Sequence, residues 1–179
     1  IRKYGPDNRL SLVALPSYIG TRETRHIDCL HRLSGDEVLS GQTFDDAIAY
    51  GSYRVDIHHQ GKPGLTFKYL DGTQVYVRPG YPNEVGRWRD VTPVDPTYYQ
   101  IPYRSLLPQG PYNNLILAGR MMDADEEAFG GVRVMVNMNQ TGEAAGVAAY
   151  LALHQAKTVR EVAAAELRDK MKAGGSVML

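Results

Sequence analysis

The sequence predicts an α+β fold, in which a mixed sheet with a β-hairpin accompanies a strand–loop–helix unit and a C-terminal helix. Three observations lead to this prediction. A short apolar run at 115–117 is bounded by Asn-Asn and Gly, which is typical of a buried strand. An alanine-rich run follows Gly142 and has the composition of a closely packed helix. Two alternating runs, 65–70 and 74–78, flank Asp-Gly-Thr, which is a strong hairpin signal.

The strand–loop–helix unit predicts a binding site for an anion or for the electron-rich edge of a ring. The first turn of a helix leaves backbone N–H groups unpaired, and the helix dipole adds partial positive charge there. We place this helix start at Gly142, where the absent side chain lets a ligand approach the backbone. Arg120, just past the predicted strand, supplies a cation suited to phosphate oxygens. An ordinary buried strand–helix pair remains the alternative from these features alone.

The N-terminal half contains shorter elements. Ser34 has the side chain of a helix N-cap and is followed by acidic residues, which predicts a short helix. Residues 43–51 are expected to form a helical turn ended by glycine. Residues 53–59 alternate in polarity and are expected to be extended, whereas 79–89 are expected to form a loop.

A final helix is predicted after the alanine-rich run. Thr158 and Glu161 have the spacing of a capping box, which marks a helix start. Glycines at 174–175 are expected to end that helix. Its pattern indicates a packing role and no chemistry.

The composition argues against several classes of function. Lys and Arg number 20, as do Asp and Glu, and they are scattered, so no basic face for nucleic acid is expected. No apolar run approaches the ~20 residues that span a bilayer, and no leader sequence is apparent. The single Cys29 excludes an internal disulfide and a cysteine-based metal cluster, and no metal site is predicted. We therefore expect a cytoplasmic chain, with a lost leader left open.

Three ordered motifs resemble a known family. They are Asn-Leu-Ile-Leu-Ala-Gly-Arg at 114–120, Val-Arg-Val-Met at 132–135 and Gly-Glu-Ala-Ala-Gly-Val-Ala-Ala at 142–149. Together they resemble the C-terminal flavin-contacting signature of FAD-dependent oxidoreductases with a glutathione-reductase-like FAD domain. The bacterial branch often grouped with xanthan lyases is the part of the family that they most resemble.

The resemblance extends upstream and implies a domain organisation. Matching segments lie at 19–26, 36–41, 53–58 and 101–108. Several motifs in order over most of a chain are more specific than any one of them. The implied division is a leading segment at 1–18, part of a substrate domain at 19–108 and the C-terminal part of the FAD-binding domain at 109–179.

The resemblance also implies residue roles. FAD is the implied cofactor, and it would carry the redox chemistry of a small-molecule substrate. His58 matches a position near the substrate and is given a proton-transfer or substrate-orienting role, although a half-exposed surface histidine is the alternative. Arg22 and Arg25 lie in a segment, 21–26, that is polar on both faces, which by itself favours an exposed edge strand. The resemblance implies instead that the two arginines line a cavity wall near the flavin and complete the candidate catalytic set. The implied cofactor-binding residues are Gly119, Arg120, Arg133, Thr141, Gly142, Glu143, Ala144 and Ala145.

A phosphate-binding Gly-x-Gly-x-x-Gly turn between a strand and a helix is missing from the sequence. We therefore expect the chain to be the C-terminal part of a longer oxidoreductase, partnered by an N-terminal dinucleotide-binding region. On its own it is expected to be inactive, and a homo-oligomer is left open.

Two other functions are kept as alternatives. The chain could be a non-catalytic fragment or binding module, because half of the cofactor contacts would be absent. It could also be a carbohydrate-cleaving enzyme, since paired carboxylates are the apparatus of glycoside hydrolysis. The candidate acids for that reaction are Asp125, Glu126 and Glu127.

Overall fold

The computed structural model describes residues 13–18, 20, 23 and 25–179. Within these residues the chain forms two antiparallel sheets and four α-helices, which confirms the α+β prediction. The elements are α1 (Gly35–Ser40), β1 (Ala47–Gly51), β2 (Val55–His58), β3 (Leu65–Lys68), β4 (Thr73–Val77), β5 (Glu84–Arg87), β6 (Tyr99–Pro102), α2 (Glu126–Val132), α3 (Met135–His154) and α4 (Ala164–Ala173), with 3-10 turns at Tyr103–Leu106 and Val159–Glu161.

The larger sheet has the strand order β2-β3-β4-β5. The hairpin between β3 and β4 is confirmed: Gly72 adopts a φ of 85° in its turn, and Thr73 N–H donates to the Asp71 side chain at 2.8 Å. The prediction of a loop at 79–89 was wrong, because β5 pairs with β4 there. All four residues of β5 are exposed, so the strand leaves no alternating pattern in the sequence.

The smaller sheet pairs β1 with β6. The helical turn predicted for 43–51 was wrong, since Ala47–Gly51 is a strand buried along its whole length. Burial on both faces gives a continuous apolar run, which periodicity alone does not separate from a helix. Beside β1, the Gln140 carboxamide accepts from Tyr50 N–H and donates to Tyr50 O, both at 2.9 Å.

Helix α3 begins seven residues before the predicted start at Gly142. Its N-cap, Val134, makes no side-chain cap, so the usual sequence signal of a helix start is absent. The first two buried positions of the helix, Asn137 and Thr141, are polar. The apolar periodicity that would indicate a buried helix face is therefore absent from its first turns. The prediction that the helix starts at Gly142 was therefore wrong, because the Gly142 amide lies inside the helix.

The strand predicted at 115–117 was also wrong. The segment has no regular secondary structure, and its backbone joins no sheet of the described chain. Leu117 N–H donates to Leu106 O at 2.8 Å, and Leu117 is buried while Leu115 is partly exposed. The apolar run thus packs beside the 3-10 turn at Tyr103–Leu106.

One apolar core holds the helices and the small sheet together. Helix α2 packs on β2 and α1, and α3 packs on β1 and α4. The predicted division after residue 108 stays a prediction, because this core draws on both sides of it. The predicted cap at Ser34 is confirmed. The capping box of Thr158 and Glu161 also forms, but it caps the 3-10 turn at Val159–Glu161. The prediction that the final helix starts there was wrong, because α4 begins at Ala164 without a side-chain cap. Fully buried core side chains include Leu33, Ile48, Tyr99, Ile101, Leu106, Met122, Leu167 and Met171.

Gly130 lets α2 approach β2. A Cβ at this position would lie 2.8 Å from Asp56 O and 3.1 Å from Asp56 N, and backbone atoms cannot turn aside as a side chain can. Gly142, also in a helix, has nothing within 4 Å of the same hypothetical atom. Substitution of each glycine by alanine therefore compares a helix position that has no room for a methyl group with one that has.

We expect Gly130→Ala to lower the free energy of unfolding by about 1–3 kcal/mol, because the added methyl group forces α2 from β2. Gly142→Ala should raise it by about 0.5–1 kcal/mol, since alanine favours the helix. Urea denaturation of both variants measures the difference. Equal stability of Gly130→Ala and the parent chain would contradict the close approach.

Candidate functional site

A cavity of about 630 Å³ lies between the start of α3 and the connection from β1 to β2. We call it the α3 hollow. One wall is formed by residues 50–54 and by Tyr69, just after β3, and the other by 134–137. None of the described residues that line it is acidic. The hollow therefore joins an aromatic wall to the positive end of a helix.

The first turn of α3 is open towards ligands. The helix has 20 residues, and no side chain of the described chain caps its start. Met135 and Val136 are 81% and 67% exposed, respectively, although both are large and apolar. Their amides have no carbonyl of a preceding helical turn to bond, so the positive end of the helix dipole is available here.

Asn137 ties this turn to the core. Its Nδ2 donates to Tyr99 Oη at 2.8 Å and to Gly131 O at 3.3 Å, and Tyr99 Oη donates to Gly131 O at 2.9 Å. Burial raises the pKa of Tyr99 to about 12, so the phenol keeps the proton that it donates. Asn137 is 1% exposed, and its Oδ1 is buried without a hydrogen-bond partner in the described chain. An unpaired buried acceptor at a helix start is unusual.

The aromatic wall carries a cation. The Arg54 guanidinium lies 4.1 Å from the Phe67 ring centroid, 5.5 Å from that of Tyr53 and 5.9 Å from that of Tyr69. Its Nε is buried without a hydrogen-bond partner among the described residues.

A second cavity, of about 600 Å³, is mainly polar and lies between β2 and α2. We call it the polar cavity. Asp56 is one of its lining residues, and its carboxylate lies near two others: Oδ2 is 3.3 Å from Arg133 Nη2, and Oδ1 is 3.4 Å from His58 Nε2. The His58 approach lacks hydrogen-bond geometry, and Asp56 Oδ1 has no hydrogen-bond partner in the described residues. Arg133 thus holds the carboxylate beside a half-exposed histidine.

A family model described as FAD dependent oxidoreductase matches residues 5–171. The chain belongs to the FAD-dependent oxidoreductase family. Its cofactor is accordingly FAD, and its enzyme class is oxidoreductase. A search of curated proteins and a search of solved structures found no significant match.

The α3 hollow fits the isoalloxazine part of the family's cofactor. A flat ring system suits tyrosine walls, and its electron-rich pyrimidine edge suits unpaired amides at a helix start. Asn137, whose side-chain oxygen has no hydrogen-bond partner among the described residues, is one of the lining residues. The residues present therefore agree with the cofactor that the family uses.

The candidate catalytic residues are not brought together. His58 lines the polar cavity with Asp56 and Arg133. Arg25 is exposed and lines neither cavity. Arg22 lies outside the described residues. Sequence reasoning placed no weight on Arg54 or Asp56, which the structure sets at the two cavities; an arginine among aromatic residues was the available signal for Arg54.

The predicted cofactor-binding residues divide into three groups. Gly119 has a φ of 94° with open space around it, and Arg120 beside it is exposed. Arg133 is paired with Asp56. The five residues at 141–145 lie within α3, where amides bond to the preceding turn, so the way in which they were expected to bind was wrong. Thr141, Ala144 and Ala145 are buried in the protein's own interior.

The acidic residues near α2 have structural partners. Asp125 is the N-cap of α2, accepting from Ala128 N–H at 2.7 Å and from Gly35 N–H at 2.9 Å. Glu127 pairs with Lys68. Glu126 is exposed at the polar cavity. The carbohydrate-cleaving alternative needs two carboxylates free to act, and two of its three candidates are engaged elsewhere.

Two further findings concern metals and membranes. In the part of the chain that the structure describes, no three His, Cys, Asp or Glu residues form a group that could hold a metal ion. None of the helices within that part combines the length and apolarity needed to cross a bilayer.

Cys29 is built into the structure as an unreactive thiol. It is 1% exposed, its N–H donates to Asp123 Oδ2 at 2.8 Å, and its Sγ–H donates to Ile27 O. Burial, followed by the negative charge of Asp123, raises the pKa of the thiol from 9.0 to about 11.

We expect Cys29 to react slowly with iodoacetamide near neutral pH. Its thiolate fraction is roughly a hundredfold smaller than in the unfolded chain, and burial slows access further. The rate should rise as the pH approaches 11. Mass spectrometry of the alkylated chain, with and without urea, measures the ratio. A Cys29→Ser, Ser40→Cys variant provides an exposed thiol as control, and equal rates in the two proteins would refute the expectation.

Proposed function

We propose that this chain supplies the flavin-facing and substrate-side part of an FAD-dependent oxidoreductase that acts on a small molecule. The observation that carries the proposal is the uncapped first turn of α3, which opens on an aromatic hollow. FAD, when bound, supplies the electron transfer itself. The chain's own residues bind and orient the reactants and set the charges around them.

The start of α3 would hold the pyrimidine edge of the ring. The amides of Met135, Val136 and Asn137 take the place of the 142–145 amides in this role. Their partial positive charge favours negative charge on the reduced ring, so the reduced form should bind more tightly than the oxidised form. Tyr99 and Asn137 keep this turn in place.

Gly119 and Arg120 are proposed to face the ribityl-pyrophosphate. The positive φ and open surroundings of Gly119 allow close approach to its backbone. Arg120 is exposed beside it and can pair with phosphate oxygens. Arg133, being paired with Asp56, contributes less free charge.

From its place in the polar cavity, His58 is proposed to hold or move a proton during the reaction. Asp56, 3.4 Å away, can orient its ring after a small rotation, and Arg133 keeps that carboxylate in place. Arg25 lines neither cavity, so it is proposed to act only through its charge, at a distance from the substrate.

The chain is proposed to work with an N-terminal dinucleotide-binding region. Its sequence lacks the turn that would bind the adenylate phosphates, so the isolated chain should hold a flavin weakly and turn over no substrate. The division at 1–18, 19–108 and 109–179, the relation to the bacterial branch grouped with xanthan lyases and a cytoplasmic location are parts of the same proposal.

Titration of the ¹⁵N-labelled chain with riboflavin tests the placement of the ring. Riboflavin carries the isoalloxazine without the adenylate, so its binding does not need the missing turn. We expect amide shifts concentrated at Met135–Asn137 and at Tyr53 and Tyr69, with quenching of the flavin fluorescence by the tyrosines.

Two variants of α3 extend this test, one at the helix start and one as its control. Val136→Glu sets a negative charge at the helix start and should weaken riboflavin binding, more for the reduced than for the oxidised form. Leu153→Glu makes the same change at an exposed site near the opposite end of the helix and should have no effect. Shifts centred on 142–145, or none at saturating riboflavin, would refute the proposal.

A further inference from the structure

We propose that Arg54 selects anionic substrates for this enzyme, specifically small planar carboxylates that bind against the aromatic wall of the α3 hollow. The inference rests on the proposed function, because it places the substrate in the hollow that receives the ring. It adds the chemical class of the substrate and the residue that recognises it.

Arg54 is held in one place before any ligand binds. Its guanidinium lies over the Phe67 ring at 4.1 Å, with Tyr53 and Tyr69 close by. Two hydrogen bonds hold the backbone of Tyr69 in place. The Tyr69 N–H donates to Thr73 O at 2.9 Å, and the Tyr69 carbonyl oxygen accepts from Trp88 Nε1 at 2.8 Å. A guanidinium held in this way loses little conformational entropy on binding an anion.

The charge of Arg54 has no internal counterpart in the described structure. Some of the other described arginines pair with carboxylates, among them Arg78 with Glu84 at 2.8 Å and Arg104 with Asp46 at 2.9 Å. No described residue that lines the α3 hollow is acidic, and Arg54 forms no ion pair with the described residues. A cation that the protein leaves unpaired in a cavity is available for an anionic ligand.

The other wall reinforces this preference. The positive end of α3 faces the same hollow, so the electrostatic potential is positive from both sides. Tyr50, Tyr53 and Tyr69 offer flat faces and edges that suit a planar ligand. A cationic ligand is disfavoured by both charges, and a neutral ligand can accept a hydrogen bond from Arg54 but lacks the attraction between opposite charges.

An anion in this hollow could belong to the substrate or to the cofactor's own pyrophosphate. The residues proposed for the pyrophosphate, Gly119 and Arg120, do not line the α3 hollow. Arg54 also lies on the wall formed by the β1–β2 connection, across from the start of α3. These positions favour a carboxylate on the substrate.

Binding of three probes to the full chain tests the inference. Benzoate is a planar carboxylate, benzamide is its neutral counterpart, and inorganic pyrophosphate represents the cofactor's anion. We expect benzoate to bind at least tenfold more tightly than benzamide or pyrophosphate, with amide shifts at Tyr53, Arg54 and Tyr69. Benzoate added to the riboflavin-saturated chain should also shift the flavin absorbance.

Arg54→Gln should weaken benzoate binding about tenfold or more, because the charge-assisted hydrogen bonds are lost. Arg54→Lys should restore part of the affinity through its charge. Arg78→Gln is the matched control: Arg78 also lies near tyrosine rings, at 4.5 Å and 5.4 Å, but it is paired with Glu84, so benzoate affinity should not change. Circular dichroism and the amide spectrum verify that each variant is folded.

The outcomes separate the two proposals. Equal benzoate affinity in Arg54→Gln and the parent chain, or tighter binding of pyrophosphate than of benzoate, overturns the substrate assignment while the riboflavin shifts at α3 stand. Arg54-dependent benzoate binding without any riboflavin shift at α3 overturns the proposed function and with it the substrate role. Both signals together, with a perturbed flavin spectrum, support both.

Discussion

The hydrogen bonds among Tyr99, Asn137 and Gly131 O fix the point at which α3 begins, and the rest of the site depends on that point. Tyr99 comes from β6, Gly131 from α2 and Asn137 from the first turn of α3. A buried network of this kind is costly to break, because each group would be left without a partner. It therefore holds the junction between α2 and α3 against the small sheet and leaves the first amides of α3 facing a cavity.

The same junction separates two chemically different spaces. Arg133 lines the polar cavity, whereas Val134, the next residue, lines the α3 hollow. Strand β2 and the connection before it do likewise, with Asp56 on one side and Arg54 on the other. The proposed roles of His58 in proton transfer and of the α3 start in cofactor binding would therefore be carried out in two different environments.

Charges are distributed unevenly over this framework. The carboxylates around α2 mostly hold backbone amides or lysine and arginine side chains, as Asp123, Asp125 and Glu127 show. Such acids stabilise the fold and have little capacity left for chemistry. Arg54 is the contrasting case, because it is held by aromatic rings and faces a hollow lined by no acidic residue of the described chain. The difference between paired and unpaired charges, more than their number, indicates where a ligand would bind.

Local features were predictable from the sequence. The hairpin, the caps at Ser34 and Thr158 and the end of α4 depend on residues close together in the chain, and so does the family signature that implied FAD. Features set by distant partners were not. Strand β1 forms because β6 pairs with it. Helix α3 follows Val134, an N-cap residue whose side chain makes no capping hydrogen bond, and the first buried residues of the helix, Asn137 and Thr141, are polar.

The sequence by itself thus determined the α+β class, the hairpin and the family, since short-range patterns record these. Tertiary structure alone decided where the helix start lies and which residues surround it. The α3 hollow forms where the β1–β2 connection meets the start of α3, and the side-chain bond there joins Tyr50 to Gln140, 90 residues away in the chain. No local pattern carries that contact, because it arises only when burial of the shared core brings the two segments together.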